Sequence, residues 1–575
     1  MDPVIVAGAG PVGLTLALAL ARLDVPVVLL DESSGSDESR LARTVVLRPD
    51  TAALLERLGC RAAARTEPWA GWRTLRRRQL VRQLPLTPGS LFGAGRGIDL
   101  PGARDGDAAG GHEGDETDAP TASATTSPVH LPQHELTRAL RGALAAVGDE
   151  DLVRIVSGTR LDTLEQDAHG VSVLTRGAQA TWWRGSYVVG CDGPRSTVRK
   201  VLGVRFPGRT AVERHAVAAL RAELPWPGEA VLHRSPPWRS IDAEVTARPL
   251  PRGVWRIDWL LPPGRDFVTP DALMVRVRDT LAGWCGDSAL PYELLDTGVH
   301  TVHHRLARRW RVGRAFLAGD AAHLLGALGT QGLEEGLRDV GNLAWKLSLA
   351  WHHGASDALL DSYQAERRGA VGVRLRAADQ ALPLVRAAGG WHAVRRTVLP
   401  GGARSHDALL TDGHLGRGPL GAPPVYGRSP LAPAAPPEGS VTVGTPTGAL
   451  VADVPVTAPD GSLVRLHERL GRELLVVLIA PGTGVWERRH WMRAGLMPRL
   501  AAAVAALPVR TELLVAEEYP GAPAHTVLLV RPDGHLAAAL SGVRPSELYA
   551  CADAARGGDA ARGTPSRDAE ATARR

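Results

Sequence analysis

Apolar residues fall in short runs separated by glycine-rich turns, and the first of these runs sets the frame. Val4-Ile5-Val6-Ala7 leads into Gly8-Ala9-Gly10-Pro11-Val12-Gly13, an Ala/Leu-rich stretch follows to Ala21, and Val25 to Leu30 forms a second run that ends at Asp31. This pattern predicts strand, turn, helix and strand, a βαβ unit. Asp50 to Gly59 has an N-cap candidate, helical apolar spacing and a terminal glycine, and so predicts a helix. Val129 to Leu136 leads into a helix through Leu144, and Val254 to Leu261 alternates as a strand with one apolar face. Two further strands end in a glycine and a carboxylate: Tyr187 to Gly190 delivers Asp192-Gly193, and Arg314 to Ala318 delivers Gly319-Asp320. Late in the chain, Glu473 to Ile479, Arg510 to Val515 and His525 to Leu536 read as three more strands.

The first turn carries candidate chemistry. Gly8 permits a tight turn, Gly10 lets backbone approach a pyrophosphate, and Gly13 lets helix and strand pack closely. The helix N-terminus then faces phosphate, and Asp31 stands where a ribose hydroxyl is bound. Three glycine-acid turns in one chain can converge on one extended dinucleotide at the carboxyl edge of a sheet.

Length and composition narrow the class. The 575 residues call for two to three domains. Cys60, Cys191, Cys285 and Cys551 are far apart and form no CxxC, which suggests neither a disulfide framework nor a zinc site. The net charge of +6 is carried almost wholly by arginine, Lys200 and Lys346 being the lysines. The densest basic run, Arg73 to Arg82, reads as a solvated strand or a nicotinamide-cofactor approach, since no nucleic-acid reader motif accompanies it. His130 and His134 have the spacing of a metal face on a helix, but Pro132 lies between them and argues against it. No basic segment precedes the first apolar run, so it does not read as a secretory signal; Arg22, Asp24 and Pro26 interrupt the apolar stretch and argue against a membrane span. The expectation is a soluble, cytoplasmic protein. Pro101 to Pro128 is acidic and low in large apolar side chains, and reads as a flexible insertion.

GAGPVGL, LPQHELTRAL, VVGCDGPRSTVRKVLG, RAFLAGDAAH, GTQGLEEGLRDVGNLAWKL and LLDSYQAERR, in that order, resemble the class A flavoprotein monooxygenases. The likeness is to the phenol and aromatic-polyketide hydroxylases of the para-hydroxybenzoate hydroxylase fold family. The resemblance implies an α/β fold: a Rossmann-type FAD-binding domain, a β-sheet substrate domain and a thioredoxin-like C-terminal domain. It divides the chain into an FAD-binding domain at 1–84, 129–205 and 302–385, a strand region and insertion at 85–128, and a substrate-binding middle domain at 206–301. A linker at 386–439, a thioredoxin-like domain at 440–556 and a disordered tail at 557–575 complete it.

By the same resemblance Gly8, Gly10, Gly13, Asp31, Arg43 and Gln133 hold the adenosine diphosphate end of FAD, with Arg40 and Arg48 competing with Arg43. Asp192-Gly193 lies between FAD and the NADPH or NADH approach, Gly319-Asp320 at the pyrophosphate and ribityl chain, and Gln331-Gly332-Leu333 against the reactive flavin end. The implied reaction uses NAD(P)H and dioxygen, and a C4a-hydroperoxyflavin hydroxylates an aromatic or polyketide substrate, as in antibiotic biosynthesis. Baeyer–Villiger insertion, epoxidation and a redox-silent flavin-binding assembly protein are the rival outcomes. No catalytic base stands out. The C-terminal unit lacks a cysteine pair, so packing or homodimer formation is its default role.

The chain departs from the family where Gly326, Ala327 and Glu334 replace a proline pair and an asparagine. The missing prolines predict a looser loop. Glu334 and Glu335 are expected to face outward as first-turn acids that favour the helix dipole. Trp255 and Trp259 fit structural core better than a substrate pocket.

Overall fold

The computed structural model describes residues 1–34, 39–63, 66–86, 127–149, 151–178, 180–239, 243–262, 268–287, 290–354, 356–386, 402–482 and 495–558. The insertion at 101–126 and the tail at 559–575 lie outside them.

Four apolar strands, each buried along its length, form the centre of the first sheet. Val4–Ala7 pairs in parallel with Val27–Leu30 on one side and Tyr187–Gly190 on the other, and Ala315–Leu317 extends the sheet beyond the latter. Strands buried on both faces read as continuous Val/Ile/Leu runs, the pattern seen here. Because the chain leaves Val4–Ala7 for one side and returns on the other, Gly8 sits at a topological switch point, where open α/β sheets bind ligands. The helix Pro11–Ala21, with proline at its start, packs between this sheet and the long helix Gly332–His353.

An eight-stranded sheet stands beside it, in the order 323–324, 293–306, 208–221, 254–260, 244–250, 229–234, 71–76, 79–85. Its apolar face carries Ala216, Ala218, Trp255, Ile257 and Trp259 against Leu273, Val277 and Leu281 of the helix Pro270–Cys285. The two tryptophans are core, and Trp259 Nε1 donates to Thr280 Oγ1 at 2.9 Å. The hairpin Gly71–Arg76 and Gln79–Pro85, grouped above with the nucleotide-binding unit, belongs to this sheet, because Gly71–Arg76 pairs along its whole length with Glu229–Arg234. Gln79–Pro85 is its largely exposed edge, and Arg77 and Arg78 of the basic run are exposed at the turn before it, whereas Arg73 is half-buried against Glu229 at 2.9 Å.

The C-terminal unit is a mixed six-stranded sheet around Leu474–Ile479. Alternation along that strand sends Leu474, Val476 and Leu478 toward the helices Met497–Ala505 and Pro545–Ala555, and Leu475, Val477 and Ile479 into a second core. A buried charge cluster joins this unit to the first. Glu366 receives Lys346 Nζ at 2.7 Å and Arg531 Nη2 at 2.9 Å, and Asp533 receives Asn342 Nδ2 at 3.2 Å. Burial draws the Lys346 ammonium down to about 8, and Arg531 and Lys346 hold Glu366 far below the usual carboxylate range.

The linker expectation for 386–439 is corrected over its described part. Gly402–Leu415 is a helix, and Leu410, Leu415 and Leu420 are buried with Trp72 and Leu328. Four leucines at 409, 410, 415 and 420 supply an apolar face that the surrounding Gly and Pro obscure.

Candidate active site

The three glycine-acid turns meet. Gly8 has φ +102°, and a Cβ there would lie 2.5 Å from the Cys191 carbonyl oxygen; a Cβ on Gly13 would overlap the Gly8 carbonyl. Gly10 has open space where a side chain would be, leaving the start of the Pro11–Ala21 helix accessible. Gly319, at φ +60°, lies against Val12, and Gly336 of the long helix packs on both. Solvent reaches the Asp320 carboxyl, yet protein surrounds it closely enough that desolvation raises it above its usual value, against the pull of His323 and Arg43. It also borders Gly332: a Cβ built there would be 3.8 Å from Asp320 Oδ1. Leu333 packs against the core of the nucleotide-binding unit, and Gln331 stands at the N-cap position with its side chain turned to the preceding turn, Nε2 donating to Gly329 O at 3.3 Å.

The remaining predicted residues have definite partners. Arg43 Nε donates to Gln133 Oε1 at 3.0 Å, and Gln133 N to Arg43 O at 2.9 Å. Arg40 reaches Asp296 at 3.4 Å, and Arg48 is buried against Glu334 and the Gly413 carbonyl, so neither competitor shares the place of Arg43. Asp31 accepts from Ser33 Oγ at 2.6 Å. Asp192 Oδ2 accepts the N–H groups of Thr197 at 2.6 Å and Val198 at 3.1 Å, which makes it the brace of the short helix Thr197–Val201; its Oδ1 is buried without a partner. Gly193 follows at φ +76°.

Two expectations about the altered segment are corrected. Glu334 and Glu335 point inward, each 1% exposed. Glu334 pairs with Arg48 and, at 3.6 Å, with Arg338; Glu335 pairs with Arg338 at 2.6 Å, Arg367 at 2.9 Å and Arg374. Asp339 receives Arg367 Nε, His323 Nε2 and the Gly319 N–H at 2.8, 2.8 and 2.9 Å. Guanidinium groups face all three carboxylates, although burial still raises Glu334 above its usual value and its Oε1 has no hydrogen-bond partner. Nor is the 326–330 turn loose. Leu328 takes φ 56°, its N–H donates to Glu213 Oε2 at 3.2 Å, and its carbonyl rests against Gly413, which has no side chain to block it.

The polar face of the eight-stranded sheet was not read from sequence. Strand register orders it in rows leading away from the 326–328 turn. Glu213 stands opposite Val302, which packs near Gly326; His215 stands opposite His300; Val217 opposite Gly298, beside Asp258; and Ala219 opposite Asp296, beside Arg256. Asp258 is gripped by Arg248 at 2.8 Å and Arg256 at 2.6 Å, and their charge holds it far below the usual carboxylate range despite burial. Arg256 Nη1 donates to Thr44 Oγ1 at 2.7 Å, one residue from Arg43, and Asp296 accepts the Ala42 N–H at 2.9 Å. The face thus looks onto the segment that carries Arg43. The alternation of Val254 to Leu260 exposes Arg256 and Asp258 in the sequence itself; the strands that complete the cluster are legible only from the pairing.

His130 and His134 do not share a helix. His130 lies on the strand Val129–Pro132, with Nδ1 2.9 Å from Pro249 O and Nε2 2.7 Å from Thr44 Oγ1. Burial, with Arg248 and Arg256 nearby, pulls its pKa well below 6.5. Such a ring contributes fully to stability above its unfolded value of about 6.5 and loses that contribution as pH falls toward its folded value. The urea midpoint of the wild type is therefore expected to drop between about pH 6.5 and 5 more steeply than that of His130→Gln. Among the described residues no cluster of metal ligands occurs, and no helix is long and apolar enough to cross a membrane.

The family described as FAD binding domain matches residues 1–377. The rifampicin monooxygenase of Streptomyces venezuelae is 31% identical over 409 residues, 69% of this chain and 75% of that protein. The 3-(3-hydroxy-phenyl)propionate/3-hydroxycinnamic acid hydroxylase of Paraburkholderia xenovorans is 34% identical over 222 residues, 38% of this chain, and the match spans about a third of that enzyme's length, 34%. In fold, the chain is similar to the flavin-dependent monooxygenase PieE solved with FAD and substrate, with a TM-score of 0.70, 22% identity and coverage of 96% and 98% of the two chains. It is likewise similar to aklavinone-11 hydroxylase solved with FAD and aklavinone, with a TM-score of 0.68, 21% identity and coverage of 97% and 99%.

Proposed function

The chain belongs to the FAD binding domain family, and from that membership we propose that it is an FAD-dependent monooxygenase that uses NADPH or NADH and dioxygen to hydroxylate an aromatic or polyketide substrate. The observation that carries this reading is the meeting of three glycine-acid turns beside the open start of the Pro11–Ala21 helix, with the start of the Gly332–His353 helix bordering Asp320. The open space at Gly10 and the crowded, solvent-reached carboxyl of Asp320 fit a dinucleotide lying across the switch point.

In this reading Gly8, Gly10 and Gly13 admit the pyrophosphate, Asp31 takes the ribose hydroxyls, and Arg43 with Gln133 holds the adenosine diphosphate end. Asp192 and Gly193 border the reductant's approach, and Gly319 and Asp320 the ribityl chain. FAD, when bound, supplies the redox chemistry and dioxygen activation. The N–H groups at Gln331, Gly332 and Leu333 stabilise negative charge at the ring, while Glu334 and Glu335 are held by arginine partners. The likeness to a rifampicin monooxygenase and, in fold, to aklavinone-11 hydroxylase makes secondary metabolism the fitting context. The C-terminal unit, thioredoxin-like by resemblance, serves packing, since Cys551 is its one cysteine and is buried.

The purified protein is expected to be yellow, to consume NADPH or NADH faster when a phenolic substrate is added, and to yield product heavier by one oxygen. A colourless protein that takes up no FAD would refute the reading. The position of the added oxygen distinguishes ring hydroxylation from insertion or epoxidation.

A further inference from the structure

A cavity of about 670 Å³ opens between the nucleotide-binding unit and the C-terminal unit, within the size range of small-molecule sites. One wall is the helix Pro49–Arg57 with the end of the Pro11–Ala21 helix, a second is the 340–345 stretch of the long helix, and a third is 467–473 with Asp533 and His535. None of the residues assigned above to FAD lines it. Arg22, on its rim, follows Gly10 by twelve residues, about 18 Å along a helix. Leu54, Leu58, Leu450, Leu470, Trp345 and Tyr426 give the interior an apolar, partly aromatic surface.

The charged groups of the wall do not all close on one another. Asp50 is taken by Arg338 at 2.8 Å, Glu473 by Arg510 at 3.2 Å, Glu512 by Arg469 at 3.5 Å and Asp533 by Arg531 at 2.5 Å. That leaves Glu468, which is exposed, against Arg22, Arg57 and Arg472. Arg22 Nε donates to Leu58 O at 3.3 Å and Arg472 Nη2 to Arg22 O at 2.8 Å, both at the exposed mouth. Arg57 is half-buried and has neither a hydrogen bond nor an ion pair among the described residues, and its Nε is cut off from solvent. Burial draws its guanidinium down to about 10, against the pull of Asp453, Asp50 and Glu56, so it remains charged at pH 7. The Trp345 indole N–H and His535 Nε2, both on buried side chains of the same cavity, also lack partners. Buried polar groups are nearly always paired, so three open ones around one cavity mark the place of a polar occupant. The surplus of guanidinium over carboxylate makes that occupant an anion, and the leucine and ring lining makes its body apolar.

We propose that this cavity is a binding site for a small organic anion with an aromatic body, its anionic group on Arg57 and its ring among the leucines, Trp345 and Tyr426. Such an occupant touches both units at once and fastens the joint between them. The site is separate from that of FAD, and the inference does not depend on the reaction proposed above.

The test titrates naphthalene-1-sulfonate, and the neutral naphthalene-1-sulfonamide, into the full-length protein with FAD present, read by calorimetry and by thermal melting. The sulfonate is expected to bind wild type and raise its melting temperature. Arg57→Met is expected to weaken that binding by about 10- to 100-fold, the loss of a hydrogen bond between charged groups. Without probe, Arg57→Met is expected to melt no lower than wild type, because no protein carboxylate loses a partner, so loss of the site is read apart from loss of the fold. Arg57→Lys keeps the cation and is expected to retain most of the binding. Gly341→Leu checks the location. A Cβ at Gly341, on the cavity wall, lies 3.6 Å from Leu54 Cδ2, an ordinary contact, so a leucine there occupies the space and is expected to exclude the probe from a folded protein. A sulfonate that fails to bind wild type, a sulfonamide that binds equally well, or wild-type affinity in Arg57→Met or Gly341→Leu would each overturn the proposal.

Discussion

Valine at Gly13 is expected to yield a protein that purifies without FAD and unfolds early. A Cβ at this position overlaps the Gly8 carbonyl, and Gly8 cannot retreat, because its own φ of +102° and its closeness to Cys191 fix it from the other side. Helix and strand must then part at the switch point. Overpacking costs about 1–3 kcal/mol where side chains can yield, and a backbone clash leaves less to yield. Gly10→Ala separates folding from cofactor binding. Nothing lies within 4 Å of its Cβ position, so thermal stability is expected to match wild type while FAD affinity falls, the methyl occupying the approach of the pyrophosphate. Thermal melting with and without added FAD, read beside the visible spectrum, checks both; a Gly10→Ala protein with wild-type FAD affinity would contradict the assignment of this turn.

The second large effect is expected from Arg367→Met. Arg367 is fully buried and gives Nε to Asp339 at 2.8 Å and Nη2 to Glu335 at 2.9 Å. Removing one partner of a buried pair strands the other charges, a loss of about 3–5 kcal/mol, far more than the pair itself contributes against an apolar replacement. The damage reaches the site, since Asp339 also accepts the Gly319 N–H and holds His323. A lower urea midpoint accompanied by weaker FAD retention is the expected outcome. A midpoint within about 1 kcal/mol of wild type would show that these carboxylates find other partners.

How much of this was legible in the sequence depended on whether the cause was local. The βαβ unit was legible because its strand runs, its glycine spacing and its terminal Asp31 are all consequences of contacts within about thirty residues. The inward turn of Glu334 and Glu335 was not. Two acids in a first helical turn satisfy the dipole wherever they point, and what draws them inward is the convergence of Arg48, Arg338, Arg367 and Arg374 from three separate parts of the chain. The loop at Gly326 looked loose for the same reason, because its brace, Glu213, is more than a hundred residues away in sequence. The strand Val254–Leu260 is an intermediate case. Its alternation placed Trp255 and Trp259 in the core correctly, and it displayed Arg256 and Asp258 on the other face. That His215 and His300 join them depends on a register set by pairing, which no single strand carries.

The cluster formed by Lys346, Glu366, Arg531 and Asp533 bears on how such a protein can be inherited. A C-terminal unit joined by a flexible tether could be exchanged between related genes with little penalty. Here Arg531 supplies the counter-charge to a glutamate that lies far upstream in the chain, and Asn342 donates to Asp533 in return. A recombined gene that brought in a foreign C-terminal segment without this arginine and aspartate would leave Glu366 and Lys346 facing each other in the interior with their neighbours missing. The two halves are therefore matched by charge, and a substitution at Glu366 leaves Arg531 with Asp533 as its remaining carboxylate partner in this cluster, at 2.5 Å.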